Sequence, residues 1–270
     1  MDSIILPLRD DFNIDKIVRH QPFFFFFSDK AERSVKVNGK LVIMSFFQDG
    51  QRLIVDLDAR LDKDEVGFLK ERISYCLGTM EDFSDLYMTC RADRVLGRFM
   101  DNIMGNRLLS AFTDFEALVS IICSQNVSFA QYKAMVAKIV DAYGDGKVFP
   151  EPCDILADTS LLKRCGVGYR AEYIENIAQF MKGKKEVDDA YRLSSVKGIG
   201  PYSVDIFMLF QKRRYDFFYV DSLIRKIIRN DYGTDIVSDK DVRVFAENHW
   251  GRYKGLCEVY LQKFLYDNIK

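Results

Sequence analysis

The sequence predicts an α+β protein: an antiparallel β-sheet with one helix over residues 1–90, then a mostly helical region over 91–270. Three observations predict it. Residues 21–57 alternate short β-branched and aromatic runs with Asn38-Gly39 and Asp49-Gly50, dipeptides that suit tight hairpins because their turn positions need φ > 0. From residue 91 onward the apolar residues recur at helical spacing instead. The length of 270 residues exceeds one compact domain of ~100–150, and 48% hydrophobic content supplies a substantial core.

The elements follow in chain order. PFFFFFS (22–28), SVKVNGKLVIMSFF (34–47) and RLIVDLD (52–58) read as strands around the two turns. Leu61, Val66, Leu69 and Ile73 place a helix at about 63–77. Beyond residue 91, helical stretches are interrupted at Gly144-Asp-Gly146, Pro150-Glu-Pro152, Gly166-Val-Gly168 and Gly233. Val187, Ala190 and Leu193 give a short helix, Gly198-Ile-Gly-Pro201 a tight turn, and Val204, Phe207 and Met208 a second helix after it. The chain carries no internal repeat and no low-complexity linker.

Composition removes several classes of function. The apolar run Phe23–Phe27 has five residues against the ~20 needed to span a bilayer. The N-terminus lacks a basic segment followed by an apolar one, so an intracellular protein without a membrane partner is expected. Six cysteines show no C-x-x-C spacing and read as reduced structural thiols. His20 and His249 are too few and too far apart for a metal site, and no Cys/His cluster implies zinc.

The turn has anion-binding chemistry. Gly198 and Gly200 carry no Cβ and tolerate φ > 0, so the backbone can fold sharply and bring its N–H groups close to an anion. Pro201 suits the first turn of a helix, whose dipole favours a phosphate at that end. The net charge of −1 is unevenly spread: residues 161–230 hold 14 Lys and Arg against eight Asp and Glu, whereas 61–120 hold seven against 11. Such a basic segment is either a solvated helical face or a nucleic-acid footprint whose affinity falls with salt. Nineteen positions after Tyr202, Asp221 opens another apolar helix beginning Ser222-Leu-Ile-Arg-Lys.

VKGIGPYSVDIFMLF followed by VDSLIRKI resembles the helix-hairpin-helix glycine/proline/aspartate signature of the HhH-GPD superfamily of base-excision DNA glycosylases. Three further segments resemble the same superfamily in the same order: IICSQNVSFAQYKAMVAKIVDAYG (121–144), GVGYRAEYI (166–174) and WGRYKGLCEVYLQ (250–262). The resemblance covers most of residues 91–270 and is shared between the 3-methyladenine DNA glycosylase II and 8-oxoguanine glycosylase branches. It implies a β-rich domain followed by a helical HhH-GPD glycosylase core with the active site in its cleft. The implied partner is double-stranded DNA containing a damaged base, bound by a monomer.

The resemblance also implies residue roles. Breaking an N-glycosidic bond builds positive charge on the sugar, and a fixed carboxylate beside C1′ stabilises it or orients water. Asp221 is the candidate, and as a helix N-cap it is expected to be held ionised by the helix dipole; capping alone is the plainer reading. Asp205 is the rival, more readily a salt bridge or cap inside the helix. Tyr202 stands where glycosylases that also cut the strand carry a lysine, whose neutral amine forms a Schiff base. A phenol cannot, so hydrolysis by water follows; packing is the alternative role. Lys197 lies before the turn and is at most a phosphate contact.

Gln125 and Asn126 match the loop that enters DNA when a base is extruded, with Asn126 as the plug or else as a helix N-cap. Tyr169 would wedge between bases and Arg170 would donate to the orphaned partner base, or both form a half-buried helix start. Ile206, Phe210 and Glu258 should face the extruded base with Tyr202, Trp250 supporting the last helix; Glu258 is either an acceptor or a surface charge. An aromatic floor suits cationic alkylated purines. The lesion stays open between these and 8-oxoguanine, as does a non-catalytic DNA clamp. No iron–sulfur cluster is expected, since only Cys257 lies beyond the hairpin, and a monovalent cation bridging hairpin carbonyls to a phosphate is admitted by family analogy.

Overall fold

The computed structural model describes residues 2–19, 31–187, 189–236 and 238–266. Strands β1 (Asp2–Pro7), β2 (Glu32–Val37), β3 (Lys40–Asp49) and β4 (Arg52–Leu57) form one antiparallel sheet in the order β1-β4-β3-β2. Asn38 and Gly39 both take positive φ (48° and 80°), so β2 and β3 close through the two-residue turn that their sequence favours. The strand expected at PFFFFFS lies outside the described residues. Strand β1 was not expected. Its Ile4 and Leu6 alternate inward and pair with β4, about fifty residues away, in the register Ile4↔Val55.

One face of the sheet is covered by α2 (Lys63–Leu77), which lies where the spacing puts it. Asp62 and Glu65 form its reciprocal capping box, and Leu69, Ile73, Cys76 and Leu77 pack on Val42, Met44, Leu53 and Val55. Short helix α1 (Ile14–Arg19) completes this layer. The apolar core beneath the sheet ends at Leu77 but also takes in Leu109 and Phe112, while the second core begins at Phe83.

The second core is built by helices α3 (Ser84–Ala92), α4 (Met100–Ile103), α5 (Asp114–Ser124), α6 (Phe129–Tyr143), α7 (Pro152–Ala157) and α8 (Arg170–Met181). It continues through α9 (Ala190–Leu193), α10 (Pro201–Ile206), α11 (Ser222–Tyr232), α12 (Asp239–Trp250) and α13 (Lys254–Tyr266). Helix α5 is buried along its whole length from Asp114 to Cys123, which marks it as the centre of the bundle. The glycine and proline interruptions fall at helix ends: Gly144 after α6, Pro152 opening α7, Gly166 and Gly168 before α8, and Gly233 after α11. Instead of continuing as α-helix, α10 runs into a π-helical turn at Phe207–Gln211.

Buried ion pairs tie the two layers together. Arg33 of β2 meets Glu116 of α5 at 2.6 Å, and Arg213 donates to both oxygens of Glu81 (2.8 and 2.6 Å) and to the Leu108 carbonyl. All six cysteines are free, five of them buried; burial pushes the Cys123 thiol up to about 12, in keeping with structural thiols. Among the described residues no helix is long and apolar enough to cross a membrane, and no group of three His, Cys, Asp or Glu residues that could hold a metal ion is present.

Candidate active site

The hairpin joins α9 to α10. Gly198 takes φ +104°, and a Cβ there would lie 2.4 Å from the Tyr173 ring, so both backbone conformation and space demand glycine. Gly200 departs from the expectation: its φ of −97° is ordinary, it sits in open space, and it serves as the N-cap position with Pro201 following at the first turn. The backbone at the start of α10 is thus uncovered.

Gln125, at the end of α5, bolts this hairpin to its neighbours. Its amide nitrogen donates to the Gly198 carbonyl (3.0 Å) and to the Ser203 hydroxyl (3.2 Å), while its own carbonyl accepts from the Arg170 guanidinium. Three loops from different helices are therefore held in one rim. Asn126, exposed with φ +53°, projects from it, and Tyr169 is 54% exposed with its ring edge against Tyr173. Lys197 is exposed and paired with Glu172 at 2.5 Å.

Below the rim lie the acids. Asp221 caps α11, its Oδ1 accepting from the Ile224 N–H at 2.8 Å, whereas the Gln262 amide nitrogen reaches Oδ1 and Oδ2 at 3.4 Å each. The helix amides pull the Asp221 pKa down, but burial outweighs them and the carboxyl is raised from its ordinary value. Dipole reasoning alone had the opposite sign. Glu258 is fully buried, accepts from the Tyr219 N–H at 3.3 Å, and is pushed well above the ordinary carboxylate range by burial and then by the Asp221 charge.

Tyr202 stands over both acids. It is 41% exposed, its ring meets Tyr219 edge-on with centroids 5.4 Å apart, and burial followed by the Asp221 and Glu258 charges pushes its phenol up. The hydroxyl accordingly stays protonated.

Residues 119–251 match the model of the HhH-GPD superfamily base excision DNA repair proteins. That region belongs to the HhH-GPD superfamily. A relative from Methanothermobacter thermautotrophicus, named a probable N-glycosylase/DNA lyase, is 27% identical over 230 residues, covering 72% of this chain and 73% of that protein. The structure is similar to a 3-methyladenine DNA glycosylase from Archaeoglobus fulgidus (TM-score 0.80, 22% identity, 98% of each chain). It is also similar to a Clostridium acetobutylicum 8-oxoguanine glycosylase/lyase in complex with DNA (TM-score 0.78, 22% identity, 100% of this chain and 97% of that one).

Several site residues of this HhH-GPD region sit differently from the expectation. Arg170 is buried and turned inward onto the Gln125 carbonyl, over the Tyr169 ring at 4.5 Å, rather than outward. Asn126 is not a helix cap, because Ser128 caps α6 through a capping box with Gln131. Ile206 and Phe210 are 2% and 1% exposed and lie within the large core, behind the acids' surroundings. Asp205, by contrast, takes the salt-bridge role expected of it, paired with Arg243 of α12 at 2.7 Å. Trp250 is buried and donates to Asp93 at 2.8 Å just before α13.

Sequence reasoning missed three residues. Tyr219 and Gln262 complete the acid cluster, and Gly255 makes it possible: a Cβ at Gly255 would lie 2.1 Å from the Phe217 carbonyl, so only glycine lets α13 approach the 217–221 segment. Gln262 follows Glu258 by four residues, the spacing that puts two side chains on one helical face, and that signal was available.

Proposed function

We propose that this HhH-GPD protein is a monofunctional DNA glycosylase that extrudes a damaged base from duplex DNA and hydrolyses its N-glycosidic bond. The observation that carries the reading is the Asp221 carboxylate capping α11 within electrostatic reach of Tyr202, the residue that stands at the hairpin where an amine would have to be. Asp221 Oδ1 accepts from the Ile224 N–H of its helix cap and Gln262 reaches both oxygens at 3.4 Å, so Oδ2 keeps acceptor capacity beyond its contact with Gln262. That oxygen is suited to stabilising an electron-deficient sugar or orienting water. Tyr202 supplies no amine where a Schiff base would have to form.

The rim supports DNA as partner. Uncovered backbone at Gly200 and Pro201 suits a phosphate at a helix N-terminus, and the exposed Asn126 and Tyr169 would fill and brace the gap left by an extruded nucleotide. By family analogy the hairpin carbonyls would hold a monovalent cation, whose charge would offset that of a bound phosphate.

For substrate class we infer an alkylated, cationic purine. The half-exposed Tyr202 ring backed by two carboxyl groups favours positive charge in the base. The test is a set of duplexes carrying 3-methyladenine, 8-oxoguanine, hypoxanthine or uracil, scored for base release by wild type and by Asp221→Asn. Release of 3-methyladenine by wild type only is expected. Preference for 8-oxoguanine would overturn the substrate class, and release of none would leave a DNA clamp in place of an enzyme.

A further inference from the structure

We propose that Gln262 is the positioning residue of this site: its side-chain amide nitrogen bridges the Glu258 and Asp221 carboxyl groups and so sets the direction of the Asp221 carboxylate. The inference rests on the glycosylase reading for its catalytic consequence, though not for its geometry.

Four contacts define the amide. Its nitrogen lies 3.3 Å from Glu258 Oε1 and 3.4 Å from each oxygen of Asp221. At the other end, the Tyr219 hydroxyl donates to Gln262 Oε1 at 3.4 Å. The oxygen end is therefore occupied by a donor and the nitrogen end is left facing two acids, the arrangement an amide's donor and acceptor ends require. Each contact is long singly; together they allow the amide one orientation.

The chemistry of the neighbours explains why an amide is useful there. Around Asp221 and Glu258 stand the Tyr202 and Tyr219 hydroxyls, Asp205 with its partner Arg243 on α12, and Arg225 on α11. A cation at position 262 would neutralise the carboxylate that has to face the sugar, and an apolar residue would leave its buried oxygen without a donor. An amide donates to both acids without cancelling the charge of Asp221. Because the donated hydrogen bond opposes the effect of burial on Asp221, it widens the pH range over which that group is ionised.

The experiment compares wild type with Gln262→Met, which keeps the length of the side chain and removes its hydrogen bonds, and with Tyr219→Phe, which removes only the hydroxyl that orients the amide. Carboxyl carbon-13 titration, with the Asp221 signal assigned through Asp221→Asn, should move the Asp221 midpoint upward by about one pH unit in Gln262→Met and by less in Tyr219→Phe. Single-turnover base release should fall about tenfold at neutral pH with its acid limb displaced the same way, while duplex affinity is unchanged. An unmoved Asp221 midpoint in both variants overturns the proposal, as does a loss of rate that is equal at every pH. Should wild type release no base from any of the lesion duplexes, the glycosylase reading fails while the titration still decides the positioning role.

Discussion

The rim and the floor of this site are built by opposite means. The rim is wired through backbone carbonyls: Gln125 to Gly198, Arg170 to Gln125, with Asn126 and Tyr169 left projecting. The floor is wired through side chains: Asp221, Gln262, Glu258 and Tyr219, the last two buried and the first two partly so. A rim held by its main chain tolerates changes in what it presents and serves binding. A floor held by titratable side chains is sensitive to single atoms and serves chemistry.

The sharpest test of this division is Asp221→Asn, which should slow base release by about 10²–10³-fold while duplex affinity stays within about twofold, measured by single-turnover kinetics and titration. On the rim, Gly198→Ala meets both a φ of +104° and the Tyr173 ring, so it should lower stability by about 2–3 kcal/mol and weaken DNA binding. Gly200→Ala, in open space with ordinary φ, should leave the melting temperature unchanged and reduce affinity for DNA alone. Equal melting losses in the two variants would contradict the distinction.

Arg170→Ala removes the guanidinium from the Gln125 carbonyl and should weaken binding of damaged duplex by about 1–2 kcal/mol, with the preference for the opposite base unchanged. A changed preference would mean that Arg170 turns outward on DNA. The smallest effect is expected from Glu258→Gln on stability. Burial raises the folded-state pKa of Glu258 above its unfolded value, so the stabilisation from its bound proton is full below about pH 4 and is lost as pH rises through the folded value. The variant should therefore melt about 2–4 °C above wild type at pH 8, a gap that closes toward pH 4.

What the sequence made legible is what local chemistry decides. Asn38-Gly39 specified its hairpin, the Leu61–Ile73 spacing specified α2, and Pro201 specified the start of α10 because each signal acts within a few residues. Strand β1 escaped because its partner is β4, far along the chain, and a short Ile4/Leu6 alternation does not announce that pairing. The family resemblance put Ile206 and Phe210 against the extruded base, and it does not tell a core-facing from a cleft-facing apolar residue. The direction of Arg170 depends on where Gln125 ends up, and the acid cluster depends on how closely α13 approaches, which Gly255 sets in three dimensions. At Asp221 the burial that raises the carboxyl was not readable from sequence, whereas the helix amides that favour its ionised form were.

The account turns on a carboxylate working with water where no amine is supplied at position 202. Its most direct test is the treatment of a lesion duplex with wild type and with Tyr202→Lys in the presence of borohydride, and separately with and without alkali. Wild type should release the base, leave the strand intact until alkali is added and give no trapped adduct, while Tyr202→Lys alone becomes trappable. A covalent adduct formed by the wild-type protein would contradict it.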